Sequence, residues 1–111
     1  MEKSKIETYL GFCVRARKII FGTEMIERQK KGVFLLIVDS GTGKNSVKEM
    51  LNAKEKFSCP LLTTDKEGVL AATLHRPSVK AVAITDQNLA AAILNALGGE
   101  PQFKLYSGGN N

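Results

Sequence analysis

Apolar and polar positions alternate along the chain in two different periods. After Ser4 and Glu7, which have the spacing of a helix-capping pair, apolar residues recur at the three- and four-residue steps of one helix face, ending near Arg15. The run 33–38 is instead almost continuously apolar and has the length of a strand. Such runs are typical of strands that are buried on both faces, as in α/β sheets. The first apolar residues are Ile6, Leu10, Cys13 and Val14.

The rest of the chain continues this alternation of helices and strands. Further strands are predicted over 18–21, 60–63 and 79–85. Further helices are predicted from Gly22 and Thr23 to Gly32, from Ser46 to Phe57, from Thr64 to about Leu74, and from Asp86 to Leu97, with capping residues at most starts. The pattern predicts an α/β fold, a three-layer α-β-α sandwich around a four-stranded mixed sheet. It also predicts one domain over 1–99 and a flexible tail over 100–111.

Length and composition are those of an ordinary globular domain. The 111 residues are 43% hydrophobic and 24% charged, and no apolar run approaches the roughly 20 residues that a membrane span needs. The first residues lead into a helical pattern and not into a signal-peptide core. We therefore expect a cytoplasmic protein with no membrane partner. Cys13 and Cys59 lack metal-ligand spacing, so we expect two buried, inert thiols and no metal site.

Positive charge is concentrated near the N-terminus. The net charge is +5, and residues 1–31 hold eight Lys or Arg against four Glu. Arg15, Arg17 and Lys18 precede a glycine turn at Gly22, and Arg28 follows it within the next predicted helix. Free backbone N–H groups at a helix start suit phosphate, and a basic surface favours a polyanion. This stretch therefore predicts contact with nucleic acid.

The segment Gly41–Ser46 resembles half of a nucleotide-binding phosphate loop. The glycine that such a loop needs five positions before its Gly-Lys pair is Val38 here, and Asn45 stands where a Ser or Thr should bind magnesium. The spacing therefore argues against nucleotide binding. Two interpretations remain open, a turn before a capped helix and a contact of Lys44 and Asn45 with a nucleic-acid backbone.

No group of residues indicates catalysis. His75 is the only histidine and has no nucleophile or carboxylate placed by motif to work with it. Asp39, Asp65 and Asp86 each follow a predicted strand, where α/β enzymes keep catalytic groups, but helix capping explains Asp65 and Asp86. We expect no catalytic residues and no cofactor.

Several short motifs together resemble one protein family. The first are Leu10-Gly11, Arg15-Ala16, Lys18, Gly22 and Glu24; the later ones are Gly43–Ser46, Cys59-Pro60 and Val82–Asp86. In this order they resemble the YlxQ-type bacterial members of the kink-turn RNA-binding ribosomal protein superfamily, the L-seven-Ae and L-thirty-e proteins. The resemblance extends over about residues 4–98.

The resemblance implies a non-catalytic α-β-α sandwich that binds ribosomal or other structured RNA, with the ribosome as a further partner. In the superfamily the glycine turn meets the sheared G·A pairs of a kink-turn, and the loop after the fourth helix packs over flipped bases. Carried onto this chain, that surface is Gly22, Thr23, Glu24, Met25, Arg28, Gly43, Lys44, Asn45, His75, Arg76, Pro77, Ser78 and Val79. Backbone phosphates would be held by Arg15, Arg17, Lys18, Arg28, Lys44 and Arg76.

Two positions of this surface differ from the family pattern. Kink-turn binders usually have Asn then Glu after the glycine turn, whereas this chain has Glu24 then Met25. An amide donates and accepts hydrogen bonds, whereas an ionised carboxylate only accepts them. The departure favours an alternative, a protein-interaction module that keeps the fold but has lost specific RNA binding.

Overall fold

The computed structural model describes residues 4–106, which form a mixed α/β fold. The helices are α1 (Lys5–Arg15), α2 (Thr23–Glu27), α3 (Lys44–Phe57), α4 (Val69–Leu74) and α5 (Gln87–Asn95), followed by a 3-10 turn at Leu97–Gly99. The strands are β1 (Ile19–Phe21), β2 (Leu35–Val38), β3 (Leu61–Thr64), β4 (Ala81–Ile84) and β5 (Phe103–Leu105). The α/β class predicted from the sequence is confirmed.

The five strands form one sheet in the order β1-β4-β2-β3-β5. Strands β2 and β3 are parallel, and the other neighbouring pairs are antiparallel. The predicted four-stranded sheet is wrong by one strand, because β5 pairs with β3 at the sheet edge, where Phe103 lies opposite Thr64. The prediction of a flexible tail is therefore wrong for residues 100–106, while its part over 107–111 lies outside the described residues.

Side chains alternate between the two faces of the sheet, and each face packs against helices. Leu35 and Ile37 point to the face covered by α1, α4 and α5, while Leu36 and Val38 point to the face covered by α2 and α3. All four are buried, as the apolar run predicted. The sheet therefore lies between two helical layers.

The two cysteines are buried in these layers, one on each face. Burial, with a smaller contribution from the negative charge of Asp86, raises the pKa of Cys13 to about 11. Burial also raises the pKa of Cys59, although the nearby Lys54 opposes the shift. Both thiols are therefore protonated at neutral pH, as inert buried cysteines are.

Helix starts were predicted correctly where the capping residue is local. The Ser4 hydroxyl accepts a hydrogen bond from the Glu7 N–H at 3.0 Å, and the Asp86 carboxylate accepts one from Leu89 N–H at 2.9 Å. The Glu7 carboxylate, however, does not accept a hydrogen bond from the backbone at the start of α1, as a capping pair would require. Its Oε2 lies 3.3 Å from His75 Nε2. Its place is taken by Glu100, whose carboxylate accepts from Lys5 N–H at 2.6 Å and Ile6 N–H at 3.1 Å.

Three other helix boundaries differ from the prediction. The second helix ends at Glu27 instead of Gly32, because Ile26 is the one residue of α2 that is fully buried and 28–32 offer no apolar side chain to the core. The third begins at Lys44 with Gly43 as its N-cap, two residues before Ser46. The fourth begins at Val69 after Gly68, since Thr64 belongs to β3 and Asp65 caps nothing.

Within the described residues, no helix is both long enough and apolar enough to cross a membrane.

Candidate nucleic-acid interface

Three segments that are far apart in the sequence meet at one end of the strands β1, β4 and β2. The Gly22 N–H donates to the Ala81 carbonyl at 2.9 Å, and the Asp39 N–H donates to the Lys80 carbonyl at 2.8 Å. The turn after β1, the loop after β2 and the loop before β4 therefore lie side by side. We call residues 22–25, 39–45 and 75–80 the loop edge.

The glycine turn opens the first segment of the loop edge. Gly22 has a φ of 89°, which L side chains rarely adopt, and it caps α2 without a side-chain acceptor. Glu24 is largely exposed, and its Oε2 lies 3.5 Å from Nη2 of Arg28, which is also exposed. Met25 is 47% exposed beside them. A carboxylate thus already shares the charge of Arg28, which lowers the net positive charge of this segment.

Asp39 fixes the second segment from inside the fold. The residue is 1% exposed, and its carboxylate accepts hydrogen bonds from Gly41 N–H at 2.9 Å, Gly68 N–H at 3.0 Å and Leu70 N–H at 3.1 Å. Burial alone would raise the pKa of this carboxyl, but these backbone donors and the Thr64 hydroxyl outweigh burial and hold its pKa below the usual value. Asp39 is therefore occupied in holding the 39–42 turn against the start of α4.

The same segment ends at the N-terminus of α3. Gly43 offers no side-chain acceptor, and the first turn of the helix holds no acidic residue. Lys44 and Asn45, at its first two positions, are exposed. With 14 residues, α3 is long enough for its dipole to place partial positive charge at this end. The helix start can therefore receive an anion, with the Lys44 ammonium next to it.

The third segment carries a cation held on an aromatic ring. The Arg76 guanidinium carbon lies 4.5 Å from the ring centroid of Phe21, the residue before Gly22. His75 and Ser78 have positive φ values of 56° and 73°. His75 is the left-handed C-cap that ends α4, so its conformation is explained by the end of the helix, and Ser78 lies two residues before Lys80 in the same loop. The loop thus presents a positioned guanidinium beside the glycine turn.

The structure does not bring all predicted cations to this edge. The Lys18 carbonyl accepts from Thr85 N–H at 2.9 Å, at the opposite end of β1 from Gly22. Four residues of extended chain place the two about 13 Å apart. Arg15 folds back along α1, with its guanidinium carbon 5.0 Å from the Phe12 ring centroid. The structure therefore places the Lys18 backbone at the far end of β1 from the glycine turn and holds Arg15 along α1.

Two residues that contribute to this surface, Phe21 beside the loop edge and Lys80 within it, were not predicted from the sequence. Phe21 was assigned only to a strand, and Lys80 was assigned to the following strand, although it is exposed in the loop before β4. Nothing in the local pattern pairs Phe21 with Arg76, which lies 55 positions further along the chain. Lys80 could have been placed in the loop from the sequence, because the continuous apolar run, and with it the buried strand, begins only at Ala81.

Comparison with known proteins shows the fold and no family. No family model matches the chain, and no curated protein matches it. Among solved structures, a protein of unknown function from Bacillus halodurans C is similar, with a TM-score of 0.72 at 18% sequence identity. The match covers 86% of this chain and 99% of that one. At this identity the similarity establishes a shared fold alone.

Proposed function

We propose that this protein is a non-catalytic RNA-binding protein, ribosomal or ribosome-associated, that recognises structured, kink-turn-like RNA with its loop edge. The observation that carries the proposal is the meeting of three polar loops at one sheet edge, joined by the Gly22–Ala81 and Asp39–Lys80 hydrogen bonds. These are the segments to which the family resemblance assigns RNA contacts. The geometry supports the proposal because it brings together segments that the resemblance selects and that lie far apart in the sequence.

The chemistry of the loop edge suits a distorted RNA helix. Lys44, at the start of α3, and Arg76, in the loop after α4, provide two cations, and the direction of Arg76 is fixed by its contact with Phe21. The free amides at the start of α3 can bind a phosphate between them. Sequence-specific RNA recognition reads bases that are splayed out of a helix, and short polar side chains with backbone N–H groups can reach such base edges. Gly22, Thr23 and Glu24 would approach the bases.

Substitution of Lys44 and Arg76 tests the proposal. The protein is titrated with a fluorescent kink-turn RNA and with the same stem lacking its G·A pairs, at two salt concentrations. Lys44→Ala and Arg76→Ala should each weaken kink-turn binding about fivefold to tenfold at 0.1 M salt and lower the log–log salt slope by about one. Lys5→Ala removes an equal charge at the start of α1 and should leave affinity within twofold.

Unchanged affinity in both variants would refute the loop edge as the RNA site. Equal, salt-sensitive binding to both RNAs would instead define a general structured-RNA binder. Preference for the kink-turn would mean that Glu24 and Met25 read it in another way than the family's Asn and Glu do.

One observation favours a second candidate function, docking of a protein partner at the same edge. Met25 is 47% exposed, next to an exposed Glu24–Arg28 ion pair. Methionine is adaptable and common at promiscuous protein-binding surfaces. Apolar docking would not weaken steeply with added salt, so absence of RNA binding in the titration would shift the assignment to this candidate.

A further inference from the structure

A second surface, opposite the loop edge, combines aromatic rings with lysines. Segments 30–34 and 56–60 line an open depression of about 410 Å³ beside the starts of β2 and β3. The Phe34 N–H donates to the Ile84 carbonyl at 2.9 Å, so Phe34 is anchored to the end of β4. We call this surface, centred on Lys30, Lys31, Phe34, Lys56 and Phe57, the lysine edge.

Phe34 is exposed where the apolar pattern predicted a buried strand residue. It directly precedes β2, whose four residues are all buried, yet Phe34 itself is 36% exposed. Phe57, at the end of α3, lies half-buried in the same depression, with Lys56 Nζ 5.1 Å from its ring centroid. The depression therefore contains one exposed ring, Phe34, and a second ring, Phe57, with a cation beside it. Every nucleobase can stack on such a face, whatever its sequence.

The lysines around these rings are only partly explained by the fold. Lys56 Nζ donates to the Glu27 carbonyl at 3.0 Å, and Lys54 lies in the last turn of α3, so both interact favourably with helix C-termini. Lys30 and Lys31 lie beyond the end of α2, are exposed, and form no ion pair with another residue in the range 4–106. Their charge has no partner in the part of the chain that the structure describes.

Further cations lie along the same side of the sheet. The Lys18 carbonyl accepts a hydrogen bond from the Thr85 N–H, and Arg17 directly precedes Lys18. Thr85 follows Ile84, whose carbonyl accepts from the Phe34 N–H, so these cations lie near Phe34. These are the residues that the structure separates from the glycine turn. The cations on this side therefore form a second positively charged region, which favours a polyanion.

We infer that the lysine edge binds a short single-stranded RNA segment, with a base stacked on Phe34 and neighbouring phosphates on Lys30, Lys31 and Lys56. An open aromatic depression bordered by exposed lysines fits an unpaired strand, because such strands expose both base faces and phosphates. The loop edge, by contrast, presents backbone amides and a fixed guanidinium. The two surfaces differ in chemistry, and the lysine edge stands or falls independently of the loop edge.

The test measures fluorescence anisotropy of a labelled ten-nucleotide oligouridine with the full chain. Lys30→Ala/Lys31→Ala should lower the log–log salt slope by about 1.4, because each phosphate contact to a single strand contributes about 0.7. Lys5→Ala/Lys104→Ala removes the same charge from exposed positions away from the depression and should leave the slope unchanged.

Substitutions of Phe34 separate stacking from charge. Phe34→Leu should weaken binding about tenfold without changing the salt slope, whereas Phe34→Tyr keeps a ring and should bind within twofold of the unmodified protein. Thermal unfolding of each variant checks that the fold is intact.

Three results would overturn the inference. One is unchanged oligouridine binding in Lys30→Ala/Lys31→Ala and in Phe34→Leu. Another is loss of oligouridine binding in Lys44→Ala or Arg76→Ala alone, which would place the single strand on the loop edge. The third is absence of oligouridine binding by the unmodified protein, and binding of a glutamate-rich peptide or of anionic vesicles in its place would make the edge a site for a different polyanion.

Discussion

The carboxylate of Asp39 connects two segments of the chain through one side chain. It accepts hydrogen bonds from the 39–42 turn and from the Gly68 and Leu70 amides at the start of α4. A carboxylate at a strand end could equally have been catalytic, and only its partners decide between the two roles. Because all of these partners are fixed backbone or Thr64 groups, Asp39 is a structural residue.

Replacing Asp39 should make stability less dependent on pH. Asp39→Asn replaces one accepting oxygen with an NH₂ donor that faces buried N–H groups. The free energy of unfolding at pH 7 should therefore fall by about 2–3 kcal/mol. The folded-state pKa is lowered. The stabilisation that the Asp39 carboxylate provides is therefore complete when the pH lies above the pKa of an unfolded aspartate, about 3.9. It is lost as the pH falls through the lower pKa of Asp39 in the folded protein. Urea unfolding between pH 7 and pH 2 measures the difference between the two proteins, and a difference that stays constant would contradict this role.

At the scale of elements, helix ends decide how the loops are placed. The end of α1 closes by two hydrogen bonds, from Lys18 N–H to the Cys13 carbonyl at 2.8 Å and from Arg17 N–H to the Val14 carbonyl at 3.2 Å. This is the Schellman arrangement, which requires a left-handed residue and usually uses glycine. Here Arg17 occupies that position with a φ of 59°. Helices α3 and α4 end in the same way, on left-handed Ser58 and His75, and each of these residues carries the conformational cost of a Cβ at positive φ.

Substitution of Arg17 separates this cost from its charge. Arg17→Gly should stabilise the protein by about 0.5–1 kcal/mol, because glycine adopts positive φ without strain. Arg17→Ala removes the same charge but keeps the strain, so its stability should equal or fall below that of the unmodified protein. Chemical denaturation compares the two, and equal stabilities would show that the backbone conformation carries no cost.

Elements whose signals are local could be predicted from the sequence, and elements held by distant residues could not. Strands β2 and β4 and helices α1 and α5 follow from apolar periodicity and from the caps Ser4 and Asp86. The predicted start of α4 was wrong because the carboxylate of the distant Asp39, and not a neighbouring residue, accepts from the first amides of this helix. The short strand β5 was missed because three residues with one buried side chain, Phe103, carry too little pattern.

At the scale of the whole molecule, the C-terminal segment closes the fold onto its N-terminal helix. Glu100 is buried and accepts from Ser4 and from the first two amides of α1. Three residues later, Phe103 is 2% exposed in the cluster that also holds Ile6 and Leu10. The residues predicted as a loose tail therefore complete both the core and the sheet.

Truncation of Phe103 should reveal this role. Phe103→Ala creates a cavity in the core and should lower the free energy of unfolding by about 3–4 kcal/mol. Leu105→Ala, two residues further along β5 and 57% exposed, is the matched control and should change it by less than about 0.5 kcal/mol. Thermal or urea unfolding measures both, and equal effects would mean that β5 is not part of the cooperative fold.

The two proposed binding surfaces could be predicted from the sequence to different extents. The three segments of the loop edge came from a family resemblance, since no local pattern brings Gly22, Lys44 and Arg76 together. The lysine edge was not predicted, because Phe34 belongs to an apolar run and its lysines come from separate elements. Only the sheet, by setting Phe34 beside the end of α3, makes them one surface.

The position of β4 has a consequence for the order in which the protein can form during synthesis. Strand β4 is the fourth strand along the chain but lies between β1 and β2 in the sheet. Before Ala81 has been added to a nascent chain, β1 and β2 lack the strand that lies between them and pairs with both. Before Glu100 has been added, the first amides of α1 lack their acceptor. Long-range pairing of this kind is slow to form, since distant segments must meet before any contact stabilises them. The sheet and the start of α1 therefore cannot be completed before the segment from Ala81 to Glu100 has been made.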